Sequence, residues 1–269
     1  MAVASSSSPF ASLVQAFRVQ LRVIGALMMW EVISRYGRDN LGFIWLFLEP
    51  MIFTLAVTAL WSAVGLSHSS TLPGVAFALT GYSSVLLWRN CASRCSMAIQ
   101  QFSSLLFHRP VRVLDLLLTK ILLEIGGASM SFVVLSTLWI SIGWADFPDD
   151  ILVVLGGWLM LCWFGGALAL NIGALTTFSE IAERLWHPTA YILFPMSGAV
   201  FMVDWLLEEF REVVLWFPMV HCTEMIRDGY FGSVVRTHYD MSFVAVVCLV
   251  MTVTGLALVR AAGRKVQFR

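Results

Sequence analysis

Long apolar runs alternate with short charged connections along this chain. Six runs approach or exceed the roughly 20 residues a helix needs to cross a bilayer: about 41–64, 74–90, 113–142, 150–177, 187–203 and 241–260. The pattern predicts six membrane-spanning helices, and an even number of crossings puts both ends of the chain on one side. Ahead of the first run, residues 11–38 interleave apolar residues with Arg18, Arg22, Glu31 and Arg35, and Val14, Phe17, Leu21 and Ile24 fall at helical spacing. Two readings are open for this segment: an amphipathic helix lying in the membrane interface, or an N-terminal cap packed on the bundle. Residues 1–10 read as a disordered Ser-rich tail, 39–260 as the membrane domain and 261–269 as a basic tail. Met1 to Pro9 has neither a basic start nor an early apolar core, so the first span is expected to insert without a cleaved leader.

Two connections depart from simple loops. Residues 91–112 are too polar to span and too periodic for plain coil, which predicts a short helix broken at Pro110; a solvated connector is the alternative. After the fifth run, Asp204 is followed by two short amphipathic pieces, Trp205 to Phe217 and Met219 to Phe231, separated by Pro218. Neither is long enough to cross. They read as half-helices that dip into the outer leaflet, where irregular backbone is tolerated only when shielded. An ordinary loop would expose Leu206, Leu207, Phe210, Val214, Leu215 and Phe217 to water.

Composition fixes the solvent. With 59% hydrophobic and 13% charged residues and a mean hydropathy of +0.81, the chain is too apolar for a soluble domain. The formal net charge of zero conceals a polarised molecule. Arg18, Arg22, Arg35, Arg38, Arg89, Arg94, Arg109, Arg112, Arg184, Arg264, Lys265 and Arg269 fall in the two ends and the second and fourth connections, whereas the Asp146–Phe147–Pro148–Asp149–Asp150 turn is acidic. Lys and Arg stay in the cytoplasm, so both termini are expected there and the acidic turn outside. The sign asymmetry runs across a membrane and not along a nucleic-acid face. Five cysteines, Cys91, Cys95, Cys162, Cys222 and Cys248, give neither a disulfide framework nor a zinc spacing.

Nothing reads as a catalytic centre. No glycine-rich turn followed by Lys-Ser or Lys-Thr is present, so ATP is not bound and split here by that route. His68, His108, His187, His221 and His238 are scattered, and no metal cluster is expected. Glu49, followed by Pro50, is the carboxylate that falls inside a span. Such a group needs a cavity or a partner, and Arg35 or Arg38 would serve if the preceding helix folds back; a plain interfacial carboxylate at a helix bend is the alternative. Glu124 is expected to pair with Lys120 at i,i+4. Most tryptophans fall near span ends and read as an interfacial belt. Trp45, Phe47 and Phe53 in the first span and Tyr191, Phe194 and Phe201 in the fifth are placed to line a path on which sugar rings stack and slide, though bundle packing explains any one of them.

Four stretches carry a resemblance. The run from Arg35 to Pro50, Arg-Tyr-Gly-Arg-Asp-Asn-Leu-Gly-Phe-Ile-Trp-Leu-Phe-Leu-Glu-Pro, resembles the start of the first span in type-2 ABC exporter permeases. Gly81 to Asn90, Phe107 to Asp115 and His221 to Gly232 resemble the capsular-polysaccharide export branch, and the likeness extends from about Arg18 to the end. It implies an all-α integral membrane protein with six transmembrane helices per protomer. An N-terminal amphipathic gate helix, a cytoplasmic coupling helix and two short re-entrant periplasmic helices before the last span complete the implied fold.

The implied working unit is an inner-membrane homodimer in a Gram-negative bacterium, joined by two ATPase subunits that hold ATP and magnesium, and by periplasmic and outer-membrane export proteins. Its cargo is a lipid-linked acidic polysaccharide. The gate helix maps onto 11–38, the coupling helix onto about 91–112 with Gln100, Gln101, Phe102, Phe107, His108 and Arg109, and the periplasmic helices onto about 205–231 with Trp205, Trp216, His221 and Arg227. A canal between protomers is assigned Trp45, Phe47, Glu49, Phe53, Tyr191 and Phe194. Arg35 and Arg38 would receive the linker phosphate or an acidic sugar at the cytoplasmic mouth. Two other classes remain: the same fold exporting O-antigen, teichoic acid or a drug, and a carrier or membrane enzyme that works alone.

Overall fold

The computed structural model describes residues 9–36, 42–64, 73–101 and 111–267, and among them the regular structure is all helical. In order these are α1 (Pro9–Tyr36), α2 (Gly42–Val64), α3 (Gly74–Ser96), α4 (Ala98–Gln101), α5 (Val113–Ile142), α6 (Ile151–Phe178), α7 (Glu180–Met196), α8 (Glu208–Val214), α9 (Pro218–Phe231) and α10 (Met241–Gln267), with 3-10 turns at Val203–Trp205 and Gly232–Val234. Local chemistry sets several of these boundaries. Gly143, at φ +79°, ends α5 in a left-handed turn. Asp150 caps α6 by accepting from the Leu152 and Val153 amides, and Asp240 does the same for Ser242 and Phe243 at the start of α10. Pro218 opens α9 at a position where its missing N–H costs nothing.

Three of the expected spans, α5, α6 and Met241–Lys265 of α10, are long and apolar enough to cross a membrane among the described residues. The others differ from the sequence expectation in detail. The second run does not stop at residue 90 but continues as α3 through Arg94 to Ser96, so the expected 91–112 segment divides between the end of α3, the single turn α4, and 102–110, which lie outside the described residues. The fifth run begins earlier, at Glu180, where Glu180 and Glu183 favour a helix N-terminus. It ends at Met196, before Gly198 at φ +79° turns the chain.

At the centre lies α3, buried on nearly every side from Ala76 through Trp88 to Cys95, with α2, α5, α6 and α7 around it. Its approach to α6 is close enough that a methyl at Gly173 would stand 3.1 Å from the Cys95 carbonyl oxygen and 2.6 Å from Leu117. The final helix docks on α6 through polar contacts. Asn171 donates to the Met251 carbonyl at 2.6 Å and accepts from Thr254 at 3.1 Å, and Trp163 Nε1 donates to Thr252 at 3.0 Å. All five thiols are free, four of them buried.

The tryptophans whose side chains are described divide between exposed and packed. Trp30, Trp45, Trp144, Trp163, Trp205 and Trp216 are exposed, but Trp88, Trp139, Trp158 and Trp186 are packed inside. Trp158 stacks on Phe132 and donates to Ser129, and Trp186 donates to Ser93 on α3. A span-end position in sequence is therefore not sufficient for a lipid-facing ring.

The helices α3, α5, α6, α7 and α10 run alternately between two polar ends. One end gathers Glu31, Arg35, Glu49, Arg94, Lys120 and Glu124, and Lys265 caps α6 there by reaching the Thr177 and Phe178 carbonyls. The other end holds the acidic turn, whose Asp149 and Asp150 amides donate to the Tyr230 and Gly229 carbonyls at the close of α9.

Candidate functional site

The first polar end is built by helix crossing. Along the start of α5, α1 packs Leu27 and Val23 against Leu116 and Val111, and Gln20 donates to Asp115 at 3.1 Å. Each helix carries an opposite-sign pair four residues apart, Glu31 with Arg35 and Lys120 with Glu124. The local rule predicts pairing within α5; the structure pairs the groups across the two helices. Lys120 Nζ donates to Glu31 at 2.8 Å and to Gln101 of α4 at 2.8 Å, and Arg35 Nη1 donates to Glu124 at 2.6 Å. Lys120–Glu124 is absent from the ion pairs of the described residues. The crossing favours this arrangement because it places both cations against carboxylates of the facing helix.

Glu49 joins this cluster from α2, as expected for Arg35, and brings in Arg94 of α3. Arg35 Nη2 and Arg94 Nη2 each donate to Glu49, at 3.2 Å, and Arg94 Nε stands 3.5 Å from the same Glu124 oxygen that Arg35 reaches. The result is a closed square, Arg35–Glu49–Arg94–Glu124, with one corner on each of α1, α2, α3 and α5. Its corners differ in burial: the Glu124 side chain is 8% exposed and Glu49 is 40% exposed. An exposed ion pair contributes about 0–1 kcal/mol, whereas stripping one partner from a buried pair costs about 3–5 kcal/mol. Lys120 and Glu31, at 2% and 10%, and Glu124 thus hold α1 to α5, while Glu49 is the most exposed corner.

At the opposite end, Arg227 of α9 is fully buried. Its Nη1 donates to the Gly198 and Phe201 carbonyls, each at 2.6 Å, and its Nη2 to Ala199 at 2.8 Å, while its guanidinium lies 3.8 Å over the Phe77 ring. One turn earlier, Glu224 accepts from the Val203 and His238 amides at 3.2 and 3.1 Å. The two side chains hold segment 198–203 by its carbonyls and its amide together. Burial raises the Glu224 carboxyl, opposed by Arg227, and burial lowers the Arg227 guanidinium, opposed by Glu224. Neighbouring α3 comes so near that a methyl at Gly81 would meet the Ala199 carbonyl oxygen and stand 2.6 Å from Arg227 Nη2. His221 is buried as well. Its Nδ1 accepts from the Asp240 amide, which leaves Nε2 to donate to the Leu215 carbonyl at 2.8 Å. His238 Nε2 faces Asp204 at 3.1 Å, and Arg211 donates to the Val203, Asp204 and Leu206 carbonyls.

The remaining candidates are scattered. Trp45 of α2 and Tyr191 of α7 are exposed, 46% and, as a residue, 71%. Phe194 packs edge-on against Tyr82 of α3. Phe47 and Phe53 belong to α2, but their side chains lie outside the described ones. Trp205 stacks on Phe77 at 5.3 Å, and Trp216 stands out at the end of α8 with Leu207, Phe210 and Val213. Gln101 touches Lys120; Gln100 lies on α4 with its side chain outside the described ones, and Arg38, Phe102, Phe107, His108 and Arg109 lie outside the described residues. Arg94, Glu31 and Glu224 are the members that sequence reasoning did not place. The one available signal was the pair of oppositely signed i,i+4 couples on α1 and α5.

Among the described residues no group of three or more His, Cys, Asp or Glu side chains can hold a metal ion. The chemistry the two ends offer is charge pairing and backbone clamping. Comparison with known proteins agrees with a transport role. Residues 22–231 match the ABC-2 type transporter family. The chain is 39% identical over 94% of its length, and 96% of the relative's, to the capsule polysaccharide export inner-membrane protein BexB of Haemophilus influenzae. It is 40% identical, with the same coverage, to the capsule polysaccharide export inner-membrane protein CtrC of Neisseria meningitidis serogroup B. The polysialic acid transport protein KpsM of Escherichia coli is 23% identical over 91% of this chain and 95% of its own. The chain is therefore a transport subunit and not an enzyme, and it belongs to the ABC-2 type transporter family, in the group of the capsule polysaccharide export inner-membrane proteins.

Proposed function

We propose that this protein is the permease of an ATP-driven exporter that moves lipid-linked acidic capsular polysaccharide from cytoplasm to periplasm. Two copies form the canal, and two separate ATPase subunits bind ATP and magnesium. The observation that carries this reading is 40% identity across 94% of the chain to a protein named for capsule polysaccharide export. The structure adds support: the end rich in Arg and Lys, with the capping Lys265, is the one the positive-inside rule places in the cytoplasm. With that orientation α2, α3, α5, α6, α7 and α10 make six crossings, α1 is the gate helix, α4 begins the coupling segment, and α8 and α9 form the periplasmic pair.

Export then proceeds from the basic cytoplasmic mouth. Arg35, already engaged by Glu49 and Glu124, and Arg38 meet the linker phosphate, and the glycan passes between protomers along the exposed Trp45 and Tyr191. Flat aromatic faces hold each sugar weakly, which permits sliding. Nucleotide-driven closure of the ATPase subunits displaces the coupling segment and shifts the helices as bodies. Segment 198–203, clamped by Arg227 and Glu224, gives the outer mouth a fixed rim. Deleting the gene in its own host tests the reading. Lipid-linked capsular polysaccharide should accumulate inside the cell and return to the surface on complementation. Undisturbed surface capsule, or accumulation of a different glycan, would overturn it.

A further inference from the structure

The central helix α3 is buried along most of its length, and what it leaves open is a polar stripe. After its first turn, the residues of α3 that are only partly buried are Tyr82, Arg89, Asn90, Ser93 and Arg94. Tyr82, Arg89 and Ser93 recur at two turns and then one, so they share a face, and Asn90 and Arg94 lie beside them. Contacts at the edges of the stripe fix its setting. Tyr82 meets Phe194 of α7 and Ser93 accepts from Trp186 of α7, while Arg94 donates to Glu49 of α2. The stripe thus runs between α2 and α7, which both pack on α3 and, among the described residues, pack little on each other. The exposed Trp45 and Tyr191 belong to these two flanking helices.

Within this stripe Arg89 stands apart. Arg94 is paired with Glu49 and Glu124, but among the described residues Arg89 has neither an ion pair nor a hydrogen bond, and Asn90 and the Tyr82 hydroxyl have no hydrogen bond either. Arg89 lies about 10 Å from the Ser96 end of α3, at 1.5 Å per residue, directly after the apolar run Val85–Trp88. A guanidinium at that depth is costly unless it borders water or meets an anion. Partly exposed, with the Asn90 amide beside it, it offers a fork of donors that fits a phosphate or a carboxylate. The arginines that bind the bundle together are turned onto carboxylates, as Arg35 and Arg94 are, or onto carbonyls, as Arg227 is; Arg89 is turned onto neither.

We infer that Arg89 is a cargo-binding residue and that α3 forms a third wall of the canal. As the glycan passes between α2 and α7, the Arg89 guanidinium pairs with the oxyanions it carries, a phosphate of the linker or a carboxylate of the sugars, while Asn90 and Tyr82 hydrogen-bond sugar hydroxyls along the same stripe. This rests on the exporter reading and adds, to the two helices that carry Trp45 and Tyr191, the helix that reads the charge of the cargo.

The test uses the full complex with its ATPase subunits in proteoliposomes containing lipid-linked acidic polysaccharide. Arg89→Gln should raise the cargo needed for half-maximal translocation at least about tenfold, the loss of one hydrogen bond to a charged group, with assembly and the maximal rate of ATP hydrolysis intact. Arg89→Lys should recover most of the loss, and Arg89→Glu should deepen it. Cargo with its carboxylates amidated on the same linker separates the two anions: Arg89→Gln then matches the native protein if the acidic sugars are the ligand, and stays impaired if the linker phosphate is. A role confined to folding would lower protein yield and leave the cargo dependence unchanged, and an unchanged dependence would overturn the inference. Should the variants fail to assemble, a photo-crosslinking residue at position 90, beside native Arg89, should attach to the glycan during turnover, and one at the exposed position 249 of α10 should not; no attachment at position 90 would overturn the proposal. A native complex that moves no lipid-linked polysaccharide with ATP would sink the exporter reading itself, whereas native transport with an unaltered Arg89→Gln would sink the inference alone.

Discussion

Arg227 shows how much a single residue holds at the outer end. Its guanidinium satisfies three carbonyls in a segment without regular structure, and water does not reach it. Arg227→Met leaves those carbonyls and the nearby Glu224 uncompensated, and is expected to cost at least about 3 kcal/mol, read as a lowered unfolding midpoint in detergent. Gly81→Ala presses on the same clamp from α3 and should cost about 1–3 kcal/mol, with no loss for alanine at the open Gly126. At the inner end the two carboxylates of the square should separate. Glu124→Gln removes the buried carboxylate that Arg35 and Arg94 share and should destabilise by about 3 kcal/mol, whereas Glu49→Gln, at the more exposed corner, should change the midpoint by less than about 1 kcal/mol. Equal effects would contradict the division of roles. The sequence indicated Glu49 and its partner Arg35, because a carboxylate inside an apolar run requires a counter-charge. It did not indicate that Arg227 is buried, since an Arg in a fourteen-residue amphipathic helix reads as solvent-facing until the carbonyls of another segment are placed around it.

Elements were legible where the period and the breakers agreed. The half-helix α9 was visible in Pro218 and the charges that follow, and its C-terminal turn at Gly232 has φ +54°. The ends of α3 and α7 were not, because hydropathy falls before helical structure does: Arg89 and Arg94 close an apolar run yet remain in helix, the Arg94 charge met by Glu49 of α2 and Glu124 of α5. For α1, the stripe of Phe17 and Leu21 points outward, while Ile24, Leu27 and Glu31 face the body. One face of the segment is thus packed on the body and one is open. The docking of α10 on α6 offers a test at this scale. Asn171→Leu removes the bonds to Met251 and Thr254 and should cost about 1 kcal/mol, measured by reversible unfolding in bicelles. A neutral result would assign the contact to packing alone.

For the whole molecule, the order of charges reads as a basic end and an acidic end, and among the described residues Arg35, Arg94, Lys120 and Lys265 lie at one end, the first three paired with carboxylates, and Asp149 and Asp150 at the other. What the sequence could not convey is which helices are tied to one another, since that depends on ion pairs between segments up to 89 positions apart. Impermeant thiol labelling of single cysteines at Phe147 and Trp216 should succeed from the periplasm, and labelling at Arg264 should succeed only after the inner membrane is opened; the reverse pattern would invert the orientation. The measurement that bears most directly on the account is purification of this protein with its ATPase partner, followed by transport in sealed vesicles. A complex of two copies of each chain that moves lipid-linked capsular polysaccharide only when ATP is hydrolysed is the expected result. Transport by the lone chain, or a complex whose ATP hydrolysis never moves the glycan, would contradict it.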